Sequence, residues 1–183
     1  VIMCTPSPCP PAWLTQKHPD ILVVGNTGIT VQHGMRLNAN GSNPVYQQYI
    51  DKIIRQMAAR YGNHPAVWGW QLDNEPHFEG LYDYSAFAQQ DFKKWLQQRY
   101  GSIDSLNKAW GAAFWSLTYN NFGQIRIPNA KESFNNPHAI LDFQRYNADA
   151  LAASLRFQAQ LLRSLVAPRQ WITTNYAYYK FLP

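Results

Sequence analysis

Cysteine is nearly absent from this chain of 183 residues: Cys4 and Cys9 are the only two, and they share a proline-rich segment. Two thiols cannot form a disulfide framework, and without a neighbouring histidine they make a poor zinc site, so they read as incidental. Charge is also sparse, with 15% charged residues against 46% apolar and 15% aromatic ones. That balance excludes a disordered chain and a coiled coil and leaves a globular protein able to bury a core. Long apolar runs are missing too. In the last helical segment Leu161-Leu162 is flanked at once by Gln160 and Arg163, far short of the roughly 18 to 20 residues that a spanning helix needs, so no membrane partner is expected. The net charge of +5 comes from basic residues scattered singly, with no cluster longer than Lys93-Lys94. A patch able to anchor phosphates is lacking, and nucleic acid is not expected as a partner.

No internal repeat or low-complexity segment is visible. The chain opens on Val1-Ile2-Met3 and stops at Phe181-Leu182-Pro183 directly after an apolar segment. No signal peptide can be read, and both ends read as cuts in a longer parent protein.

What is present alternates between strand and helix signals. Val1 to Thr5 reads as a short strand that runs into a loop of Pro6, Pro8, Pro10 and Pro11, which cannot continue a ladder. Residues 20 to 43 read as loop with a small hairpin. Asn43 and Pro44 then open a helix with apolar residues at 46, 49, 50, 53, 54, 57 and 61, stopped by Gly62. Ala66 to Leu72 is short, apolar and rich in β-formers, the mark of a buried parallel strand. A helix from Tyr84 to Tyr100 behind Asp83, a short one capped by Ser102, a long aromatic loop and a helix from Pro137 to about Val166 follow. Gln170 to Asn175 reads as a third buried strand. This order predicts parallel β/α units. A closed (β/α)8 barrel needs eight strands and about 250 residues, so the expectation is α/β, a fragment of a TIM barrel, with residues 1–183 forming one partial catalytic domain truncated at both ends.

Glu75 is the leading catalytic candidate. It follows a buried strand in Asp73-Asn74-Glu75, and the carboxyl ends of parallel strands are where ligands and catalytic groups gather. Walled by Trp68, Trp70 and other aromatics, its carboxyl would be partly desolvated and raised toward the range of a general acid. The alternative is a carboxylate that caps the next helix. Asn74 would either bond a substrate hydroxyl or close an Asx turn.

Four collinear blocks then carry a resemblance: Thr5-Pro6; Pro10 to Leu14 with His18-Pro19-Asp20; Trp70 to Glu75; and Leu106 to Ser116. Together they resemble the catalytic barrel of glycoside hydrolase family 42 β-galactosidases, over strands three to five of the eight. The resemblance implies a galactoside substrate, no cofactor, and a homotrimeric parent. It makes Glu75 the general acid/base and Asn74 the residue that holds the hydroxyl beside the anomeric carbon. Arg36, in Gly34-Met35-Arg36, would donate to galactose hydroxyls, the alternative being a surface loop charge. Trp115 would pack on the sugar, the alternative being a core aromatic. Tyr119 and Asn175 are weaker candidates for the site.

The chain departs from the family twice. Many members carry a zinc-binding cysteine cluster after the acid/base, whereas Phe78 to Tyr84 contains no cysteine, so metal is not expected. Retention also needs a second carboxylate about 5 to 5.5 Å from the first. In the family it lies on a later strand, beyond Pro183. Glu79 and Glu132, the only other glutamates, read as loop positions. Two other readings remain at this point: a cellulase-like or mannanase-like hydrolase supported by Asn-Glu-Pro, and a non-catalytic sugar-binding remnant.

Overall fold

The computed structural model describes residues 1–34, 36–76, 82–129, 131–132 and 134–175. Three strands, β1 (Ile2–Cys4), β2 (Gly69–Gln71) and β3 (Trp171–Thr173), pair in the order β1-β2-β3, all parallel. The register sets Met3 beside Trp70 and Trp70 beside Ile172, while Cys4, Gln71 and Thr173 form the last row. Helices lie between them in sequence, as parallel connections require: α1 (Ala12–Lys17), α2 (Pro44–Tyr61), α3 (Ala86–Tyr100), α4 (Ile103–Ala109) and α5 (Pro137–Leu165).

The chain divides into two compact units, one of residues 1–22, 31–80 and 150–183, the other of residues 23–30 and 81–149. In the first, Trp70 packs with Ile50 and Ile54 of α2, Leu161 and Leu162 of α5, and Leu14 of α1. Strand alternation directs Met3, Trp70 and Ile172 to these helices. The residues between them point the other way, and there Trp171 crosses Gly69 so closely that a Cβ on Gly69 would lie 2.4 Å from its ring. Asn43 caps α2 by accepting from the backbone of Val45 and Tyr46, a cap typically worth about 1 kcal/mol.

The second unit is built on aromatic contacts. Phe92 meets Phe143 and Tyr146 at centroid distances of 5.4 Å. Buried Asp142 collects the Trp110 indole at 2.8 Å, the Tyr100 hydroxyl at 2.5 Å and Arg145 at 3.0 Å. Here α3 starts at Ala86 behind Ser85 rather than at Tyr84, because Asp83 spends its carboxylate on the backbone and hydroxyl of Ser85.

One further difference from the sequence reading has a physical cause. The proline loop contains α1, since Pro11 with ψ 155° is the residue outside the helix and Ala12 its first turn. In α5, the buried side runs through Phe143, Tyr146, Ser154, Gln158 and Leu162, whereas Leu141 and Leu165 are exposed. Gln158 is buried there with Ser7 and Asp73 as partners.

Candidate active site

Because the strands are parallel, the carboxyl ends of β1, β2 and β3 converge on one edge of the sheet. The ladder continues past their ends: Thr5 N–H donates to Gln71 O at 2.9 Å and Leu72 N–H to Thr173 O at 2.7 Å. Beyond Leu72 the backbone turns through Asp73 at φ 50° and Glu75 at φ 49°. Two non-glycine residues in the left-handed region are costly and persist only where surrounding contacts impose them.

Those contacts come from all three strand ends. Asp73 N–H donates to Thr5 Oγ1 at 2.8 Å, and Gln71 Nε2 donates to Asp73 O at 3.1 Å. Glu75 N–H donates to Asn175 Oδ1 at 3.1 Å, which also accepts from Gln71 Nε2 at 2.8 Å. Asn175 Nδ2 closes the ring by donating to Asn74 Oδ1 at 3.3 Å. The Asp73 carboxyl is buried and accepts from Ser7 Oγ, Thr5 Oγ1 and Gln158 Nε2. Burial pushes that carboxyl above the usual carboxylate range, while the bonds from Ser7, Gln158 and Thr5 pull it back.

The Glu75 side chain is 32% exposed and accepts from Arg36 at 2.9 Å through Oε2. Arg36 also donates to Asn74 O at 3.4 Å. Arg36 is therefore not a stray loop charge: it reaches both the carboxyl and the backbone of the turn. Among the described helices the next one, α3, is capped by Ser85 rather than by Glu75.

The two tryptophans expected to wall Glu75 lie elsewhere. Trp70 lies in the core, where its indole donates to Gln170 at 2.8 Å, and Trp68 precedes β2 with 69% exposure. Trp70 has the strand parity that faces the helices, whereas Trp68 stands outside the strand. Gln71, of opposite parity, supplies an amide instead. Sequence reasoning passed over Gln71, and Asn175 is drawn in more firmly than expected. A polar residue at the last position of a short apolar strand was the available signal.

In the second unit, Trp115 is 73% exposed, which sets aside a core role. It stacks on Phe114 at 4.6 Å and meets Phe134 edge-on at 5.9 Å. Tyr119 is partly buried there, packed edge-on against Trp110, and Glu132 is an exposed loop residue. Glu79 and the cysteine-free stretch from Phe78 to Leu81 lie outside the described residues. The first unit thus gathers a carboxyl, a guanidinium and three amide side chains at one strand edge, a set of donors and acceptors suited to a polyhydroxylated ligand.

Comparison with known proteins accounts for this arrangement. Residues 1–182 match the family model described as β-galactosidase, glycoside hydrolase family 42. A β-galactosidase of an Arthrobacter species is 43% identical over 180 residues, covering 96% of this chain and 25% of that protein. One from Thermus thermophilus is 38% identical, covering 96% and 27%. The crystal structure of a β-galactosidase from the psychrophilic Marinomonas ef1 superposes with a TM-score of 0.91 at 36% identity, covering 96% of this chain and 27% of that one. The chain thus spans about a quarter of the length of these relatives and forms part of their (β/α)8 barrel. The match favours this family over the cellulase-like and mannanase-like alternatives, and the chain belongs to the glycoside hydrolase family 42 β-galactosidases.

Proposed function

We propose that the protein carrying this chain hydrolyses terminal non-reducing β-D-galactosides with retention, using Glu75 as general acid/base. The observation that carries the reading is the place of Glu75: it follows the middle of three parallel strands, with Arg36 at 2.9 Å and its backbone N–H bound to Asn175. In the first step the Glu75 carboxyl would protonate the glycosidic oxygen as the aglycone leaves. In the second, its carboxylate would take a proton from water. Asn74 would hold the hydroxyl beside the anomeric carbon, and Arg36 would orient the carboxyl and donate to galactose hydroxyls. The nucleophile would be a carboxylate outside these 183 residues, because neighbouring Asp73 is buried and engaged by Thr5, Ser7 and Gln158.

Proton NMR of the first-formed sugar tests the mechanism. Initial release of β-galactose is expected, and initial α-galactose would overturn retention. Galactoside binding without turnover would favour the sugar-binding remnant.

A further inference from the structure

A buried carboxyl next to the candidate acid needs a reason. Asp73 is 8% exposed, and the side chains around it, Thr5, Ser7 and Gln158, are buried as well. Among the described residues no Lys or Arg pairs with it, and its charge is opposed by burial and relieved only by hydrogen bonds. Taking such a group out of water is costly, and a well-packed apolar side chain would stabilise the same contact at least as well. Hydrogen bonds differ from apolar contacts in being directional. What they hold is a turn in a sparsely populated conformation: φ 50° at Asp73 and 49° at Glu75.

The network ties three parts of the first unit to that turn. Thr5 and Ser7 follow β1, and Gln158 comes from the middle of α5. Thr5 Oγ1 accepts from Asp73 N–H at 2.8 Å and reaches Asp73 Oδ1 at 3.4 Å, so backbone and side chain of Asp73 are held together. Ser7 Oγ bonds Asp73 Oδ1 and lies 2.9 Å from Gln158 Oε1. Gln158 Nε2 approaches both Asp73 oxygens, at 3.5 and 3.4 Å. Ser7 is itself anchored, since its carbonyl accepts from the buried Tyr46 hydroxyl of α2. Only Asn74 separates this clamp from Glu75, whose own N–H is fixed by Asn175.

We propose that Asp73 is a positioning residue: clamped by Thr5, Ser7 and Gln158, it imposes the turn that places the Glu75 carboxyl on the glycosidic oxygen. This rests on the β-galactosidase reading above. The clamp fixes the turn from Asp73 to Glu75, so its loss should weaken acid assistance more than sugar binding.

The test is kcat/KM of the full-length enzyme carrying these residues, with Asp73→Ala, Asp73→Asn and Gln158→Ala, on a dinitrophenyl and an unactivated alkyl β-galactoside. A misplaced catalytic group costs up to about 10² in rate. Asp73→Ala should lower kcat/KM by about that factor on the alkyl substrate and no more than about threefold on the dinitrophenyl one, which leaves without protonation. Gln158→Ala should show the same pattern more weakly. Asp73→Asn, which keeps the acceptor oxygen and can offer its amide to Gln158 after an amide flip, should recover most of the alkyl rate. Equal loss on both substrates, or none on either, would overturn the positioning role while leaving the β-galactosidase reading intact. If Asp73→Ala fails to fold, Gln158→Ala decides by the same ratio. An unsubstituted enzyme that hydrolyses neither galactoside would overturn the functional reading, and the role of Asp73 with it.

Discussion

Glu75 is held by contacts that do not depend on its own carboxyl: its N–H bonds Asn175, and the turn before it bonds Thr5 and Gln71. A glutamine at this position keeps that framework; it removes the titrating proton and the charge facing Arg36, a partly exposed pair that contributes little to stability. Glu75→Gln in the full-length enzyme should therefore leave the melting temperature nearly unchanged. Turnover of substrates with poor leaving groups should fall by about 10² to 10⁴, the usual worth of general-acid assistance. Added azide should partly restore turnover of an activated aryl galactoside, because a small anion attacks the intermediate without needing a base. Equal loss on every substrate with no azide rescue would make Glu75 structural. Residue type and place singled out Glu75 and Asn74 in the sequence, and the family resemblance added Arg36, which lies 2.9 Å from the Glu75 carboxyl. Gln71 and Gln158 were not legible there: a glutamine in a strand or helix gives no sign of whether it faces solvent or a buried carboxyl.

The strands are only three residues each, and their stability as elements depends on how their side chains share space. Trp171 lies across Gly69 on the paired strand, with ring carbons 2.4 to 2.6 Å from where a Cβ would sit. Gly69→Ala should force that ring away and strain the pairing of β2 with β3, costing about 1 to 3 kcal/mol by overpacking. In a Trp171→Ala background the same change should cost far less, because the obstructing ring is gone. Denaturant midpoints of the four proteins in this cycle measure the coupling, and additive effects would refute the contact. Two helix starts were legible in the sequence because their signals are local: Asn43 before Pro44 and Ser102 before Ile103. The helix α1 was hidden because a proline run reads as loop, although Pro11 stands just outside the helix and lends it no unpaired donor.

At the scale of the whole chain, the site was legible only in outline, because it forms from three strand ends that meet through parallel register. Three-residue strands carry too short an alternation to reveal which of their side chains share a face. The same register determines what the 183 residues leave uncovered. Met3, Trp70 and Ile172 face helices, but on the opposite side Ile2 is 53% and Trp171 42% exposed, and β1 and β3 each have one paired neighbour among the described residues. Relatives about four times as long supply further chain around such a sheet. Expressed alone, the 183-residue chain should present an apolar face and two open strand edges to water, a combination that favours association between copies. It should also lack catalysis, since Glu75 can protonate a leaving group but a retaining displacement needs a second carboxylate about 5 to 5.5 Å away to carry the glycosyl group. The expected outcome is aggregation or a broad melt, with no galactose released above buffer. A monomeric fragment that melts sharply and cleaves an aryl β-galactoside would place the nucleophile within residues 1–183 and overturn the division of catalytic labour drawn here.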